Sequence, residues 1–445
     1  MSFTRIFYDG YKNRLYCVEN DGTKRKKLDF HPKFEYYVPD KTGTSEYKDI
    51  FGNPVSLMTS ETRKDMKSMA EAVKTCETDI GEDIKFLQKR YGGKNIKPNM
   101  ENFQIATLDI EVESKYEFPK QEEAKHPINL ISVHYSQTNE IFTYGLLPYT
   151  GNSDLVKNYH YFANENDLIE RFIKDFRKQK VDIISSWAGR TFDIPYIINR
   201  CENLGIDVSL SPINMYRQKH WGGYHINQSD GYDIAGIAQL DGLDLFKNFE
   251  REKRVSYSLQ NIGMEVVGEG KKDYEGTIND AWEKDWNGFV EYNVQDVVLV
   301  TKIEEKKKYI ELAITLCYQT LIPFQKIFSS ISLVEGYILR FLYQQNLVMP
   351  DKSSNKLVKR IPGAYVYAKS GIFKYCMSLD AESLYPFTIL QNGISIETLI
   401  MDGLYDLKFN GKQIRVTGND ELTVKRNNQI VKILVKDLNI DDEIQ

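Results

Sequence analysis

The chain has 445 residues and a mass of 51.7 kDa, which exceeds one typical domain, so we expect two or three. Its 58 basic and 63 acidic residues give a net charge of −5, which argues against a uniformly basic binding surface. The 5 cysteines are scattered without Cys-x-x-Cys spacing, so the sequence indicates neither a zinc ribbon nor a disulfide framework. We expect no membrane span and no signal peptide, because no apolar run has the required length or position.

The first hundred residues predict an α+β domain. Three short runs are rich in β-branched and aromatic residues and are separated by Asp-Gly steps, which indicates strands at residues 6–8, 14–18 and 34–38. Residues 62–73 have the apolar spacing of a helix. We therefore expect an N-terminal domain over residues 1–100, with a hinge at residues 92–98 leading into the next domain.

A pair of acidic residues follows in a strand pattern. Residues 105–112 alternate between two sets of side chains, and a period of two is typical of a β-strand. Asp109 and Glu111 therefore lie on one face, roughly 7 Å apart along the strand. At that spacing both carboxylates can reach hard cations held about 3.5–4 Å apart. The opposite face is apolar and is able to pack.

A third carboxylate follows a strand, helix and strand pattern. Residues 168–176 have apolar side chains four apart and precede a strand-like run at residues 181–187, which predicts an α/β layer. Asp193 comes after that run and after a glycine-containing turn. Because a proline stands two residues later, we place Asp193 at the start of a helix.

The fourth carboxylate lies in a helical pattern. Residues 289–302 predict a helix on which Tyr292 and Asp296, four residues apart, share one face. The carboxylate is suited to hold a metal ion, and the phenol is suited to orient a water for in-line attack on a phosphodiester. Each motif alone has an ordinary explanation, as a solvated strand face, a helix cap or an exposed helical pair. Together, in this order, they indicate a metal site for nucleic-acid hydrolysis.

With these three motifs in this order, the chain resembles the proofreading 3′–5′ exonuclease domain of family-B DNA polymerases. The resemblance implies a mixed α/β fold with a ribonuclease-H-like exonuclease domain at residues 101–309. It also implies single-stranded 3′ ends of DNA as substrate and two Mg²⁺ or Mn²⁺ ions as cofactors, held by Asp109, Glu111, Asp193 and Asp296. The family usually has asparagine where this chain has Ala188. That departure bears on how tightly the 3′-terminal nucleotide is held.

The resemblance places two further segments against DNA. Residues 217–232 are rich in aromatic, basic and turn residues and lie where the family has a β-hairpin that helps separate primer from template. Its candidate DNA contacts are Arg217, Lys219 and Tyr224, and a solvated hairpin is an equal alternative. Arg254 and Tyr257 lie in a segment similar to the family's single-strand contact, with a plain helix cap as the competing explanation.

A second, independent motif lies at residues 375–386, which read Tyr-Cys-Met-Ser-Leu-Asp-Ala-Glu-Ser-Leu-Tyr-Pro. They resemble the first polymerase motif of the same family, with a buried strand, turn and helix as the ordinary alternative. We expect a short strand ending at Asp380 and a helix that Pro386 helps to start. The resemblance implies metal contacts at Asp380 and Ala381. It also implies an incoming nucleotide at a turn whose N–H groups suit a triphosphate, formed by Ser383, Leu384 and Tyr385.

The rest of the chain predicts connecting helices and hairpins. Residues 310–348 have a helical pattern with an apolar stripe, formed by Leu333, Tyr337, Phe341 and Leu342. We assign this stripe to a core that joins the N-terminal domain, the exonuclease and the palm. We assign helices from residues 310–360 to the N-terminal domain. Residues 360–445 predict part of a polymerase palm followed by hairpins, because Asn-Gly and Asn-Asn steps separate strand-like runs.

The family's later polymerase motifs, an Asn-Ser-x-Tyr-Gly-type fingers string with its lysine and an Asp-Thr-Asp-Ser turn, do not occur in the sequence. Because a two-metal site with one aspartate lacks necessary charge, we expect no primer extension by this chain alone. The leading hypothesis is the N-terminal part of a family-B DNA polymerase of the T-even-like bacteriophage type, either split or truncated. Expected partners are primer–template DNA, dNTP, a second polypeptide carrying fingers and thumb, and replisome proteins, in the cytoplasm of an infected bacterial cell.

Two alternatives stay open. One is a free-standing 3′–5′ DNA exonuclease without synthesis. The other is a non-catalytic DNA-binding or assembly subunit of a replisome, which the complete set of four carboxylates disfavours.

Overall fold

The computed structural model describes residues 2–113, 119–219, 231–271, 282–352, 363 and 365–394, and five strands beyond residue 403. For those five strands and for residues 217–219 it describes the backbone alone. The chain forms two compact units, Met1–Ser354 and Asn355–Gln445. The predicted palm fragment at residues 360–445 falls within the second unit.

The first unit begins with three small sheets, and the three strands predicted before residue 40 are confirmed. Strands β1, β2 and β3 form an antiparallel sheet, β4 pairs with β6, and β5 pairs with a later strand, β15. Their bounds are Ser2–Asp9, Arg14–Asn20, Arg25–Phe30, Phe34–Pro39, Lys48–Asp49, Val55–Ser60 and, for β15, Leu347–Val348. Helix α1, Arg63–Ala72, matches the predicted helix and begins after Thr62, whose hydroxyl accepts from the N–H of Asp65 at 3.1 Å. Helix α2 spans Glu82–Tyr91.

A six-stranded mixed sheet occupies the middle of the first unit. Its strands β7 to β11 are, in chain order, Ile105–Val112, Ile128–Tyr135, Glu140–Gly145, Asn158–Tyr161 and Ile183–Ser185, and its strand β14 is Ala238–Gln239. The strand order in the sheet is β10-β9-β8-β7-β11-β14. Strand β7 lies inside the sheet, antiparallel to β8 and parallel to β11. This sheet and its helices confirm the mixed α/β fold.

Helices pack on both faces of this sheet. The apolar side chains of β7, including Leu108 and Ile110, share a core with α3, Glu165–Lys178, and α4, Asp193–Leu204. The helices α5, α6 and α7 span Gly242–Phe249, Leu259–Val266 and Trp286–Lys307. Helix α7 crosses the other side of the sheet and contacts β7 and β8. The predicted helices at residues 168–176 and 289–302 and the predicted helix start at Asp193 are therefore confirmed.

A second core joins the N-terminal strands to later helices. The ring of Phe3 lies 4.9 Å from that of Tyr318 and 5.0 Å from that of Phe324. Tyr318 belongs to α8, Tyr309–Thr320, which is followed by a 3₁₀ turn, Phe324–Lys326, and by α9, Ser330–Tyr343. The predicted limits 1–100 and 101–309 thus lie inside one compact unit and stay predictions.

A buried ion cluster ties the first strands to the central sheet. The Asp182 carboxylate is fully buried and accepts from Arg5 Nε at 2.6 Å and from the guanidinium of Arg25. The backbone N–H of Gln104, just before β7, also donates to it at 3.0 Å. Because a buried carboxylate needs this many partners, Asp182 fixes the N-terminal sheet beside the strand that carries Asp109.

The predicted apolar stripe of α9 is only partly core. Leu342 is 8% exposed and Leu333 is half-buried, whereas Tyr337 is 65% and Phe341 is 49% exposed. Gly336 explains the orientation, since a Cβ there would collide with Thr320 and Ile322. The close approach of the Gly336 face to α8 turns Tyr337 and Phe341 away from the core, so the assignment of those two residues was wrong.

The second unit has one described helix and paired strands. Helix α10, Leu384–Gln391, begins at the predicted turn, and Ser383 before it has a positive φ of 54°. Strands pair as the two hairpin signals predict, with bounds Leu404–Phe409, Lys412–Thr417, Glu421–Arg426 and Gln429–Leu434, while Glu443–Ile444 pairs with the third of these. The predicted short strand before Asp380 was wrong, because residues 376–380 have no ladder partner among the described residues. In the described part of the chain, no helix combines the length and apolarity needed to cross a membrane.

Candidate metal centre

Strand β7 places the first two acidic residues on one face. Alternate residues of the strand are buried, including Leu108 at 2% and Ile110 at 5% exposure. Asp109 and Glu111 point the other way and keep partial solvent exposure, although protein atoms surround both carboxylates densely. The predicted period of two is therefore what brings two carboxylates to the same side of the sheet.

Helix α7 supplies the other side of the site. Tyr292, Asn293 and Asp296 are buried in this helix. Asn293 donates from Nδ2 to Oδ2 of Asp109 at 2.7 Å, which links the helix to the strand. Sequence analysis missed Asn293, although its spacing of three residues from Asp296 was a usable signal, because residues three and four apart share a helix face.

Three carboxylates meet in one cluster. One oxygen from each of Asp109, Glu111 and Asp296 lies within 4.8 Å of the others. Asp193, the first residue of α4, is outside this set. Burial first, and then the charge of Asp109, raise the pKa of Asp193, so its carboxyl lies close enough to interact with the cluster. The structure therefore brings all four predicted carboxylates into one region, with three closest together.

Lys271 is the cation of the site, and sequence analysis missed it. Its ammonium lies 2.5 Å from Oδ2 of Asp296 and 3.0 Å from the hydroxyl of Tyr292. It also lies 5.0 Å from the centre of the Tyr292 ring, within cation–π range. No motif in the sequence marks Lys271, because its role depends on a contact with residues more than twenty positions away.

Burial disfavours the ionised form of each carboxyl group in the cluster. Burial, with Asp296 next, raises the pKa of Asp109, and burial, with Asp109 next, raises the pKa of Glu111 well above its usual range. Burial also raises the pKa of Asp296, although Lys271 opposes that shift. For Lys271, burial lowers the pKa, but the nearby Asp296 and Tyr292 outweigh it and the net shift is upward. One ammonium thus faces four carboxylates that repel one another.

The residues present fit a divalent cation. Oδ1 of Asp296 is buried and has no hydrogen-bond partner among the described residues. The other two members of the cluster, Asp109 and Glu111, are carboxylates, which have no proton to donate when ionised. A buried carboxylate oxygen without a donor is costly, and a metal ion would satisfy it. Because the cluster offers only carboxylate oxygens, it suits hard ions such as Mg²⁺ or Mn²⁺ rather than a thiolate-binding metal.

Comparisons with known proteins assign part of the first unit to a protein family. Residues 53–262 match the family described as DNA polymerase family B, exonuclease domain. The chain carries an exonuclease domain of the family-B DNA polymerases. That domain is of the ribonuclease-H-like kind, as the resemblance implied, and its family uses divalent metal ions.

Curated relatives of this family-B chain are longer proteins. The DNA-directed DNA polymerase of Escherichia phage RB69 is 30% identical over 426 residues, which cover 86% of this chain and 46% of that protein. The enzyme of the same name from Enterobacteria phage T4 is 26% identical over 420 residues, with the same two shares. DNA polymerase 1 of Pyrococcus abyssi is 26% identical and covers 79% of this chain and 46% of its own length. The chain therefore spans just under half of the relatives it matches.

The backbone conformation at Ala188 bears on the departure from the family's asparagine at this position. Ala188 has a positive φ of 70°, a conformation that asparagine adopts more readily than alanine. The next residue, Gly189, lies against Asp193, and a Cβ there would collide with the Asp193 carboxylate. The turn before Asp193 therefore tolerates Ala188 at some conformational cost, and asparagine would fit the same backbone.

The structure describes only some of the side chains that are predicted to contact DNA. Strand β12, Tyr216–Lys219, pairs with β13, Gly231–Ile234, so the predicted hairpin has two paired strands. Arg217 and Lys219 lie on β12, but their side chains and the whole of Tyr224 lie outside the described residues. Arg254 forms ion pairs with Glu250 and Glu265, and Tyr257 is half-buried, with its hydroxyl accepting from the N–H of Arg254.

The predicted polymerase residues lie in the second unit. Asp380 and Ala381 are exposed and precede α10. The turn residues Ser383, Leu384 and Tyr385 are also exposed, and the last two form the first turn of the helix. Their roles in binding metal or nucleotide stay predictions.

Lys271→Met should destabilise the metal-free protein by roughly 2–3 kcal/mol, because it leaves a buried carboxylate without its partner. The value lies below that of a fully buried pair, since the Lys271 side chain is 30% exposed. Saturating Mg²⁺ should shrink the loss, because bound cations then oppose the same negative charge. Urea unfolding in EDTA and in Mg²⁺ measures both quantities.

Lys302→Met is the matched control, because Lys302 pairs with Glu269 in an exposed salt bridge at 2.6 Å. That variant should lose less than about 1 kcal/mol in either buffer. Equal losses for Lys271→Met with and without Mg²⁺ would contradict the electrostatic account.

Proposed function

We propose that this chain hydrolyses single-stranded DNA from its 3′ end, using two Mg²⁺ or Mn²⁺ ions. The observation that carries the proposal is the cluster in which oxygens of Asp109, Glu111 and Asp296 lie within 4.8 Å of one another. Asp193 stands beside this cluster as the fourth ligand. An oxygen-only site of this charge is suited to bind divalent ions that would in turn attract a phosphate.

Each residue of the site has a proposed role. The four carboxylates would hold the cations, which when bound would stabilise negative charge on the phosphodiester and lower the pKa of an attacking water. The hydroxyl of Tyr292 orients that water. Lys271, which is 3.0 Å from this hydroxyl, positions the phenol and opposes negative charge that develops on the phosphate.

DNA as the substrate is supported by the relatives, which are named DNA-directed DNA polymerases. We propose that the β12–β13 hairpin contacts the strand being degraded. Tyr224 would stack on its bases, and Arg217 and Lys219 would bind its phosphates. Tyr257 is proposed as a second stacking surface. Arg254 needs to exchange at least one of its two ion pairs for a phosphate, so its contribution to DNA affinity should be smaller.

The purified chain should shorten 5′-labelled single-stranded DNA stepwise from the 3′ end in Mg²⁺ or Mn²⁺, and EDTA should stop the reaction. Asp109→Ala combined with Glu111→Ala should reduce the rate by about 1000-fold or more, because metal-ion stabilisation is worth several kcal/mol and each 1.36 kcal/mol is tenfold in rate. Gel analysis of products over time measures the rate.

The control is Glu140→Ala combined with Glu170→Ala, which removes two exposed acidic residues away from the site. This variant should degrade DNA at the parent's rate. If the Asp109 and Glu111 double variant degraded DNA as fast as the control, the site would be wrongly assigned. DNA binding without any degradation by the parent would favour the non-catalytic subunit instead.

A role in DNA synthesis is a further part of the proposal and belongs to the second unit. The string around Asp380, with α10 beginning at the adjacent turn, supports a nucleotide site at Ser383, Leu384 and Tyr385 and a metal contact at Asp380 and Ala381. Synthesis also requires the lysine and second aspartate that the family carries in its later motifs, which a second polypeptide would supply. Cytoplasmic replication in an infected bacterial cell is the setting that this proposal implies.

The chain alone should not extend a primer, and a mixture with a polypeptide that carries the missing motifs should. Asp380→Asn should abolish extension by the mixture and spare degradation of single-stranded DNA, because the two reactions use different carboxylates. A primer-extension assay with labelled primer measures this. Templated addition of nucleotides by the isolated chain would contradict the requirement for a partner. It would also exclude the alternative of a free-standing exonuclease without synthesis.

A further inference from the structure

Asp241 is a buried carboxylate outside the metal cluster that makes more hydrogen bonds than its local position needs. It is 2% exposed and lies between β14 and α5. Its Oδ1 accepts from the N–H groups of Leu243 at 3.0 Å and Asp244 at 3.3 Å, which is ordinary helix capping. Serine, threonine or asparagine would serve equally well for that purpose.

The same carboxylate also holds a second, distant turn. Its Oδ2 accepts from the hydroxyl of Ser186 at 2.9 Å and from the N–H of Arg190 at 3.4 Å. Its Oδ1 accepts from the N–H of Ala188 at 3.2 Å. The turn at residues 186–190 follows β11, and β11 pairs in parallel with β14, so both turns leave the same edge of the sheet.

This turn determines where Asp193 lies. The carbonyl of Gly189 accepts a hydrogen bond at 2.9 Å from the N–H of Ile194, which lies in the first turn of α4. The carboxylate of Asp193 packs directly against Gly189, where no side chain fits. Ala188 holds a positive φ, a conformation that needs support from its surroundings. Asp241 is the side chain that bonds to this backbone on both sides of Gly189.

Burying a further carboxylate here has an electrostatic cost, because its negative charge adds to that of Asp193 and the cluster. A helix cap alone does not account for that cost, since neutral caps are as effective. Five donors from two separate turns do account for it, because charged hydrogen bonds to a carboxylate are stronger than neutral ones.

We propose that Asp241 is a positioning residue that fixes the Ser186–Arg190 turn, so that Asp193 can serve as the fourth carboxylate for a divalent cation. This inference rests on the proposed function. Asp241 itself touches neither the cation nor DNA, and it acts through Asp193.

The test compares Mn²⁺ affinity, measured by electron paramagnetic resonance of free Mn²⁺, between the parent chain and its variants. Asp241→Ser keeps an oxygen to cap α5 but is too short to reach the second turn. It should weaken Mn²⁺ binding by about tenfold or more, as is typical when a group that orients a ligand is lost. Asp241→Asn, which keeps the length and one acceptor oxygen, should recover part of the affinity.

Asn164→Ala is the matched control, because Asn164 caps α3 through a 2.9 Å bond from the N–H of Asp167 and its side chain bonds to no second turn among the described residues. It should leave Mn²⁺ affinity within twofold of the parent. The decisive readout is the Asp193→Ala background, in which adding Asp241→Ser should cause no further loss, because the residue through which it acts is gone.

An unchanged Mn²⁺ affinity in Asp241→Ser, or an equal further loss in the Asp193→Ala background, would overturn the proposal. If Asp241→Ser does not fold, the same two comparisons are made with Asp241→Asn. Failure of the proposed function is a separate result, since the parent would then neither bind Mn²⁺ at the cluster nor degrade DNA.

Discussion

The repulsion among four carboxylates gathered around one lysine is the constraint on which the rest of this structure depends. Asp109, Glu111 and Asp296 come within 4.8 Å of one another, while Lys271 neutralises only one of them directly. Such an arrangement requires rigid elements that hold the side chains in place, and its repulsion is relieved by proton uptake, to which the raised pKa values correspond, or by a bound cation. Strand β7 inside the sheet and the long helix α7 across it supply that rigidity.

The remainder of the first unit supports these two elements. Asp182 bonds to the backbone just before β7 and to two arginines of the N-terminal sheet, so displacement of the strand would leave buried charge unpaired. The aromatic core around Phe3 joins the same sheet to α8, which directly follows α7. Asp241 extends this support to Asp193 by holding the turn before α4. The N-terminal strands are therefore part of the scaffold that holds the carboxylate cluster.

Sequence patterns predicted the elements that carry the carboxylates, because each pattern reports local geometry. The alternation around Asp109, the spacing of Tyr292 and Asp296, and the proline after Asp193 each specify one face or one end of an element. Lys271 and Asp241 escaped prediction, because their roles arise only from contacts made after folding. The prediction that Tyr337 and Phe341 of α9 lie in the core failed for a similar reason. Apolar spacing identifies a face of a helix, but the contact made by Gly336 determines which face packs. The strand expected before Asp380 needed a pairing partner that local sequence does not specify.

The most direct test of this account is a crystal structure of the protein grown with Mn²⁺, with data collected near the manganese absorption edge. The account predicts anomalous density for two ions bonded by Asp109, Glu111, Asp193 and Asp296, about 3.5–4 Å apart. Manganese bound elsewhere on the chain, with none among these four carboxylates, would contradict it.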